Sequence, residues 1–206
     1  MVMISWDIFF REKCIDIFTN SKEVIDIGGG LRIDGSKNNR TQSDREWLVP
    51  YMKKVDYKVL DPVSDYNPDI VGDIHSLPFG DSSKEAIVCL AVLEHVENPI
   101  KAMSEMHRTL RPGGKLLIYV PFLYYYHAHK GYYGDYWRFT IDTLEMFAKP
   151  FSKSEIVPVR LPIETLCRLT PFGRYNPFVQ IARWLDGVFY KKGSNQVAGY
   201  YLYLEK

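Results

Sequence analysis

The order of apolar runs along this chain predicts an α/β protein built on a doubly wound sheet of about seven strands, mostly parallel with an antiparallel C-terminal strand. Three observations carry that reading. Short apolar runs at 24–27, 57–60, 69–71 and 115–120 each run into glycine, proline or aspartate turns. The run at 86–91 has no polar residue, as a central parallel strand covered on both faces should read. Between it and the run at 115–120 lies a helix with both end signals: Asn98 and Pro99 as N-cap and first residue, and Arg111-Pro-Gly-Gly as the stop.

The elements follow in order. Residues 5–18 place Trp6, Phe9, Phe10, Cys14, Ile17 and Phe18 at helical spacing, a packing helix in an N-terminal flank over 1–22. The first strand, 24–27, ends in three consecutive glycines. Residues 32–46 are polar and irregular, and 47–52 form a short amphipathic piece. Strands at 57–60 and 69–71 close on Asp61-Pro62 and Gly72-Asp73. In the capped helix, Ile100, Met103, Met106 and Leu110 supply one apolar face. A long aromatic loop then leads to a helix over 140–149, with Ile141, Leu144 and Phe147 inward, and a strand at 154–159. Residues 160–192, rich in proline and basic side chains, read as an insertion before the final strand at 196–204; there Phe178, Ile181, Leu185 and Val188 share a face. The expectation is one domain over 1–206, long enough to bury a core unaided.

Composition bounds the function. With 26 Lys and Arg against 25 acids, no global field recruits nucleic acid, and 46% hydrophobic with 25% charged residues is a globular balance. Three widely spaced cysteines without a C-x-x-C, apolar runs too short for a membrane span and an N-terminus without a signal pattern point to a cytoplasmic protein with no transmembrane segment. Fifteen tyrosines hint at an aromatic or carbohydrate-like cleft.

In such a sheet, ligands bind beyond the carboxyl ends of the strands. The dinucleotide pattern G-x-G-x-x-G matches Gly28 and Gly30 but requires glycine where Ile33 stands, and no G-x-x-x-x-G-K-[ST] phosphate loop occurs. A cofactor with an adenosine and an amino-acid tail needs a carboxylate for two ribose hydroxyls, an acceptor for the adenine amino group and bare backbone near its carboxylate and ammonium. Asp61, Asp73 and Gly28, Gly29 and Gly30 offer these from three strand ends.

Five ordered segments, V-I-D-I-G-G-G at 24–30, K-V-L-D-P at 58–62, V-G-D-I-H-S-L-P-F at 71–79, L-A-V-L-E-H-V at 90–96 and L-R-P-G-G-K-L at 110–116, give the chain its resemblance to class I S-adenosylmethionine-dependent methyltransferases, a Rossmann-like family. The resemblance implies that the methionine moiety lies against Gly28 to Gly30 and Asp26, the ribose on Asp61, the adenine beside Asp73 and Ile74, and the backbone of Leu90 and Ala91 below. Arg32 departs from the family pattern, which has glycine there; it either pairs with the cofactor's carboxylate or marks a site that has drifted.

On the acceptor side, His95 is a candidate general base or an orienting group. The loop Y-Y-Y-H-A-H-K-G-Y-Y-G-D-Y-W-R-F-T at 124–140 adds His127, His129 and Asp135, ranked ahead of His95. Its D-Y-W-R-F-T segment resembles one in a subset associated with bacterial surface-polysaccharide biosynthesis, which implies a small or sugar-type acceptor methylated on oxygen or nitrogen. Packing explains the same residues differently: Tyr136, Trp137 and Phe139 in the core, Asp135 paired with Arg138, and Thr140 as a helix cap. His127-x-His129 lacks a placed third ligand, so no metal is expected. A homodimer is the candidate assembly. The readings from other classes are a cofactor-binding protein without turnover and, less favoured, a nicotinamide-dependent oxidoreductase.

Overall fold

The computed structural model describes residues 5–37, 41–190 and 193–206. Residues 1–4 of the expected N-terminal flank, 38–40 of the polar stretch and 191–192 of the expected insertion lie outside them.

One seven-stranded sheet organises the chain. Its strands are β1 (Glu23–Ile27), β2 (Asp56–Asp61), β3 (Ile70–Val71), β4 (Lys84–Leu90), β5 (Leu110–Pro121), β6 (Lys153–Val159) and β7 (Gly199–Glu205), in the order β3-β2-β1-β4-β5-β7-β6. Neighbours from β3 to β5 pair parallel, while β7 runs antiparallel to both β5 and β6. The order reverses between β1 and β4, so the loops after these two strands diverge there and leave a crevice.

Alternation along the strands builds two cores. Ile25, Ile27, Ile87, Cys89, Leu116, Ile118, Leu202 and Leu204 point to one face, which α3 (Pro99–Thr109) and α4 (Ile141–Ala148) cover with Met103, Met106, Leu144 and Phe147. Val24, Ala86, Val88, Leu117, Tyr201 and Tyr203 point to the other, covered by Phe9, Phe10, Cys14, Ile17 and Phe18 of α1 (Ser5–Asn20). The short piece at 47–52 becomes the end of a 3-10 turn, Ser43–Leu48, followed by α2 (Val49–Met52).

Two expected faces are revised. Ile100 is 63% exposed, because the buried stripe of α3 runs through Pro99, Ala102, Met103 and Met106 instead. The stretch before β7 forms α5 (Pro162–Leu169), a 3-10 turn Pro171–Arg174 and α6 (Asn176–Phe189). In α6 the buried residues are Val179, Ala182 and Asp186, whereas Phe178, Ile181 and Val188 are exposed. Asp186 explains that rotation: both its oxygens accept N–H groups from the start of α5, Ile163 and Glu164, each at 2.8 Å. Glu164, also buried, takes Arg168 and Arg183 at 2.9 and 2.8 Å, so a polar network locks the two helices and turns the apolar face of α6 outward.

Candidate active site

The glycine turn after β1 is built by its own strand. Asp26 is fully buried on the α1 face; its Oδ1 accepts the N–H of Gly30 at 3.1 Å, and its Oδ2 accepts the N–H of Leu31 at 3.0 Å and the hydroxyl of Tyr57 at 2.7 Å. Asp26 thereby shapes the turn from inside the fold, with a buried carboxylate satisfied by three donors. Burial pushes its carboxyl up to about 6, against the lowering effect of these donors. Arg45 closes the turn from outside, its guanidinium donating to the carbonyl of Leu31 at 3.2 Å and to that of Gly30.

Glycine is required here for two separate reasons. Gly28 and Gly29 have φ of 75° and 59°, and a Cβ added at Gly30 would stand 2.5 Å from the carbonyl oxygen of Leu90. Arg32 has φ of 53°, so it takes up the left-handed conformation that a glycine would adopt there, with its side chain exposed. The backbone path of the expected third glycine is kept although the residue type is not.

Asp61 stands at the carboxyl end of β2, 8% exposed. Its Oδ1 accepts the N–H of Val63 at 2.8 Å, and burial raises its carboxyl above the ordinary range. Asp73 is exposed and accepts both the backbone N–H and the Nδ1–H of His75, at 2.8 and 2.7 Å; the backbone donor chiefly lowers its carboxyl. His75 Nε2 in turn accepts the N–H of Asn98 at 3.3 Å, which fixes the Nδ1–H tautomer and ties Asp73 to the start of α3. The side chain of Ile74 lies in the core, so this position offers a ligand only its backbone. Leu90 is buried behind Gly30, and Ala91, with φ of 55°, turns the chain sharply out of β4.

The acceptor-side candidates divide into two groups. Glu94, 1% exposed in the turn after β4, holds the long loop by its backbone: its carbonyl accepts the N–H groups of Tyr136 and Trp137 at 2.8 and 3.2 Å. Its side chain faces His95 and His127, with Oε1 at 3.9 and 3.8 Å from their Nε2 atoms. His95 donates Nδ1–H to the carbonyl of Gly134 at 2.6 Å. His127 Nδ1 lies 3.1 Å from the carbonyl of Tyr125 and 3.2 Å from Asp135 Oδ2. The facing Glu94 carboxylate raises the His127 imidazole above its ordinary value. Asp135 also accepts the backbone N–H of His127 at 2.8 Å and a two-pronged ion pair from Arg138 at 2.6 and 2.8 Å; the guanidinium drives its carboxyl far below the usual range. The expected Asp135–Arg138 pair forms, and it supports His127 as well.

His129 belongs elsewhere. Its Nδ1 meets the hydroxyl of Tyr66 at 3.2 Å and its ring stacks on Tyr132, beside the loop after β2. Tyr133 lies between the two groups, its ring 4.4 Å from that of His95 and 5.7 Å from that of His129. Phe139 is core as packing predicts, but Tyr136 and Trp137 are exposed, and Thr140 precedes α4 without a side-chain cap.

Sequence reasoning passed over Tyr57, Arg45 and Glu94. Glu94 alone had a signal, its place next to His95 in a strand-end motif; the other two come from parts of the chain with no motif of their own.

Comparison with known proteins agrees with this architecture. The family model described as a methyltransferase domain matches residues 48–118. An Encephalitozoon cuniculi protein that bears a provisional methyltransferase name is 32% identical over 111 residues, 50% of this chain and 47% of that protein. Demethylmenaquinone methyltransferase of Renibacterium salmoninarum is 45% identical over 49 residues, 24% of this chain and 21% of that enzyme. The chain thus spans less than half the length of these curated relatives. Among solved structures, a SAM dependent methyltransferase from Archaeoglobus fulgidus superposes with a TM-score of 0.62 at 12% identity, covering 96% of this chain and 92% of that one. The fold is therefore that of S-adenosylmethionine-dependent methyltransferases.

Proposed function

We propose that the chain is an S-adenosylmethionine-dependent methyltransferase acting on a small or sugar-type acceptor at an oxygen or nitrogen. The observation that carries this reading is the convergence of the Gly28–Gly30 backbone, the buried carboxylate of Asp61 and the turn at Asp73 on one end of the sheet, at the point where strand order reverses. In this reading Asp61 Oδ2 receives a ribose hydroxyl, Asp73 and the backbone of Ile74 flank the adenine, and the amino-acid end lies against the glycine turn and the backbone of Leu90 and Ala91. Asp26 acts from behind by holding that turn.

Methyl transfer from a sulfonium is an in-line displacement, so the protein's task is to align the acceptor and take up its proton. His95 and His127, each oriented through Nδ1, turn their Nε2 atoms to the same point beside the turn after β4. Asp135 positions His127, and His129 lies among tyrosines suited to a ring-shaped acceptor. A sugar or sugar nucleotide is the acceptor class that the D-Y-W-R-F-T resemblance favours.

Calorimetry with S-adenosylmethionine tests the cofactor, and a transfer assay across sugar nucleotides and small hydroxyl compounds tests the acceptor. No binding at millimolar cofactor overturns the reading, whereas binding without transfer to any acceptor favours a cofactor-holding protein without turnover. His127→Ala is expected to lower turnover and leave cofactor affinity nearly intact.

A further inference from the structure

Three donor atoms converge beside the turn after β4: Glu94 Oε1, His95 Nε2 and His127 Nε2. They lie within 4.8 Å of one another, the one such group of three among the described residues. The carboxylate–imidazole separations of 3.9 and 3.8 Å are too long for hydrogen bonds. They are close to the ~3.3–3.5 Å between ligand atoms that each stand about 2.0–2.2 Å from a shared tetrahedral ion. We propose that Glu94, His95 and His127 bind one divalent transition-metal ion of the Zn2+ type.

Two further features point the same way. Glu94 is 1% exposed, and its Oε2 has no hydrogen-bond partner. A buried carboxylate in that state requires a counter-charge, which a divalent ion on Oε1 supplies. Both imidazoles, moreover, are prepared as ligands. His95 commits Nδ1–H to the Gly134 carbonyl, and His127 directs Nδ1 at the Tyr125 carbonyl and at Asp135, itself clamped by Arg138. A carboxylate or carbonyl on the far nitrogen leaves the lone pair of Nε2 facing inward, the usual support of a metal-bound histidine. Two imidazoles and one carboxylate make a donor set for a borderline ion such as Zn2+ and leave further coordination positions open. Insofar as the methyltransferase reading holds, an acceptor oxygen can occupy one of them.

The His-x-His spacing does not bring its two histidines together, because this loop is irregular rather than a strand: His127 turns to Glu94 and His129 to Tyr66.

The test uses the full chain freed of metal and titrated with Zn2+ alone, without S-adenosylmethionine, so that its outcome is independent of cofactor binding. One equivalent is expected to bind. Co2+ in its place is expected to give the visible absorption of a four- or five-coordinate site. X-ray absorption of the Zn2+-loaded wild type is expected to show two imidazoles in the shell, a readout that needs no variant. Glu94→Gln and His127→Ala are each expected to abolish stoichiometric binding, Asp135→Asn to weaken it by ~10–100-fold, and His107→Ala, on α3 against Phe151, to leave it unchanged. Failure of the folded wild type to bind Zn2+ overturns the proposal, as does binding that survives both Glu94→Gln and His127→Ala or a shell without imidazole.

Discussion

The residues that distinguish a cofactor platform from an ordinary turn are Asp61, Arg32 and the pair Asp26–Tyr57. Asp61 keeps one carboxylate oxygen for its own chain, and the other is the ligand-facing one in the proposed reading. Asp61→Ala is therefore expected to weaken S-adenosylmethionine binding by roughly 1–3 kcal/mol, since ribose hydroxyls lose their acceptor; an unchanged dissociation constant removes Asp61 from the site. Arg32 is separable from the cofactor by a milder change. Its left-handed φ of 53° strains any residue but glycine, so Arg32→Gly is expected to leave thermal stability equal or slightly raised, and calorimetry then reads only what the guanidinium adds. A loss of tenfold or more in affinity assigns it to the cofactor's carboxylate, whereas no loss assigns it a backbone role alone. Asp26 gives a pH signature. Its folded carboxyl sits at about 6 against an ordinary 3.8, so the folded state takes up a proton more readily, and this contribution to stability is full below the ordinary value and lost as pH rises through the folded one. Tyr57→Phe removes a donor to the ionised form and is expected to cost about 1–3 kcal/mol above that window and less below it. Thermal melts at acid and mildly alkaline pH check this; an equal cost at both refutes the assignment.

At the scale of elements, α5 and α6 show what a local pattern can and cannot disclose. Pro162 begins α5 as a first-turn proline should, but its preceding residue, Leu161, has no side chain able to cap it. The missing acceptor is Asp186, far along the chain on α6. Asp186→Ala is expected to cost roughly 2 kcal/mol by stranding two helix N–H groups, and hydrogen exchange should accelerate over 162–189 before the sheet is affected. Uniform acceleration across the sheet counts against α5–α6 opening as a unit. At α3 the sequence was sufficient, since Asn98 accepts the N–H of Lys101 at 3.0 Å, as the Asn-Pro pair predicts, whereas Thr140 ahead of α4 makes no such bond. The strands were equally legible, because burial on both faces leaves continuous apolar runs such as 86–90. The apolar stripe of α6 misled for the reason that hid Asp186: periodicity identifies a face but not which face has polar partners waiting on a neighbouring helix. The same limit separates Glu94 from His127, which meet only because a loop from β5 folds back over the end of β4.

That loop matters most at the scale of the whole molecule. It leaves β5, rests on the backbone of Glu94 and Val96 after β4, and reaches the loop after β2, where Tyr132 stacks on Tyr66 at 5.5 Å and its hydroxyl donates to Asp65 at 3.3 Å. In the strand order, β1 lies between these two anchorages, so the loop's path crosses the end of the sheet that carries the glycine turn. One anchorage is stronger than the other. On the β4 side backbone hydrogen bonds fix it, whereas on the β2 side it depends on the Tyr66–Tyr132 stack and on two side-chain contacts, Tyr132 with Asp65 at 3.3 Å and Tyr66 with His129 at 3.2 Å. Opening should therefore begin at Tyr132, and only that end must release for a cofactor to pass. Tyr132→Ala is expected to leave the melting temperature nearly unchanged, because the residue is 41% exposed and outside both cores. It removes an aromatic pair worth about 0.5–1.5 kcal/mol, so S-adenosylmethionine should dissociate about two- to tenfold faster. Stopped-flow displacement measures that rate, and hydrogen exchange over 122–139 should rise in step with it. A dissociation rate equal to wild type, with exchange still raised, means that the loop opens without gating the cofactor and that the crevice is entered from the side of β1 and β2.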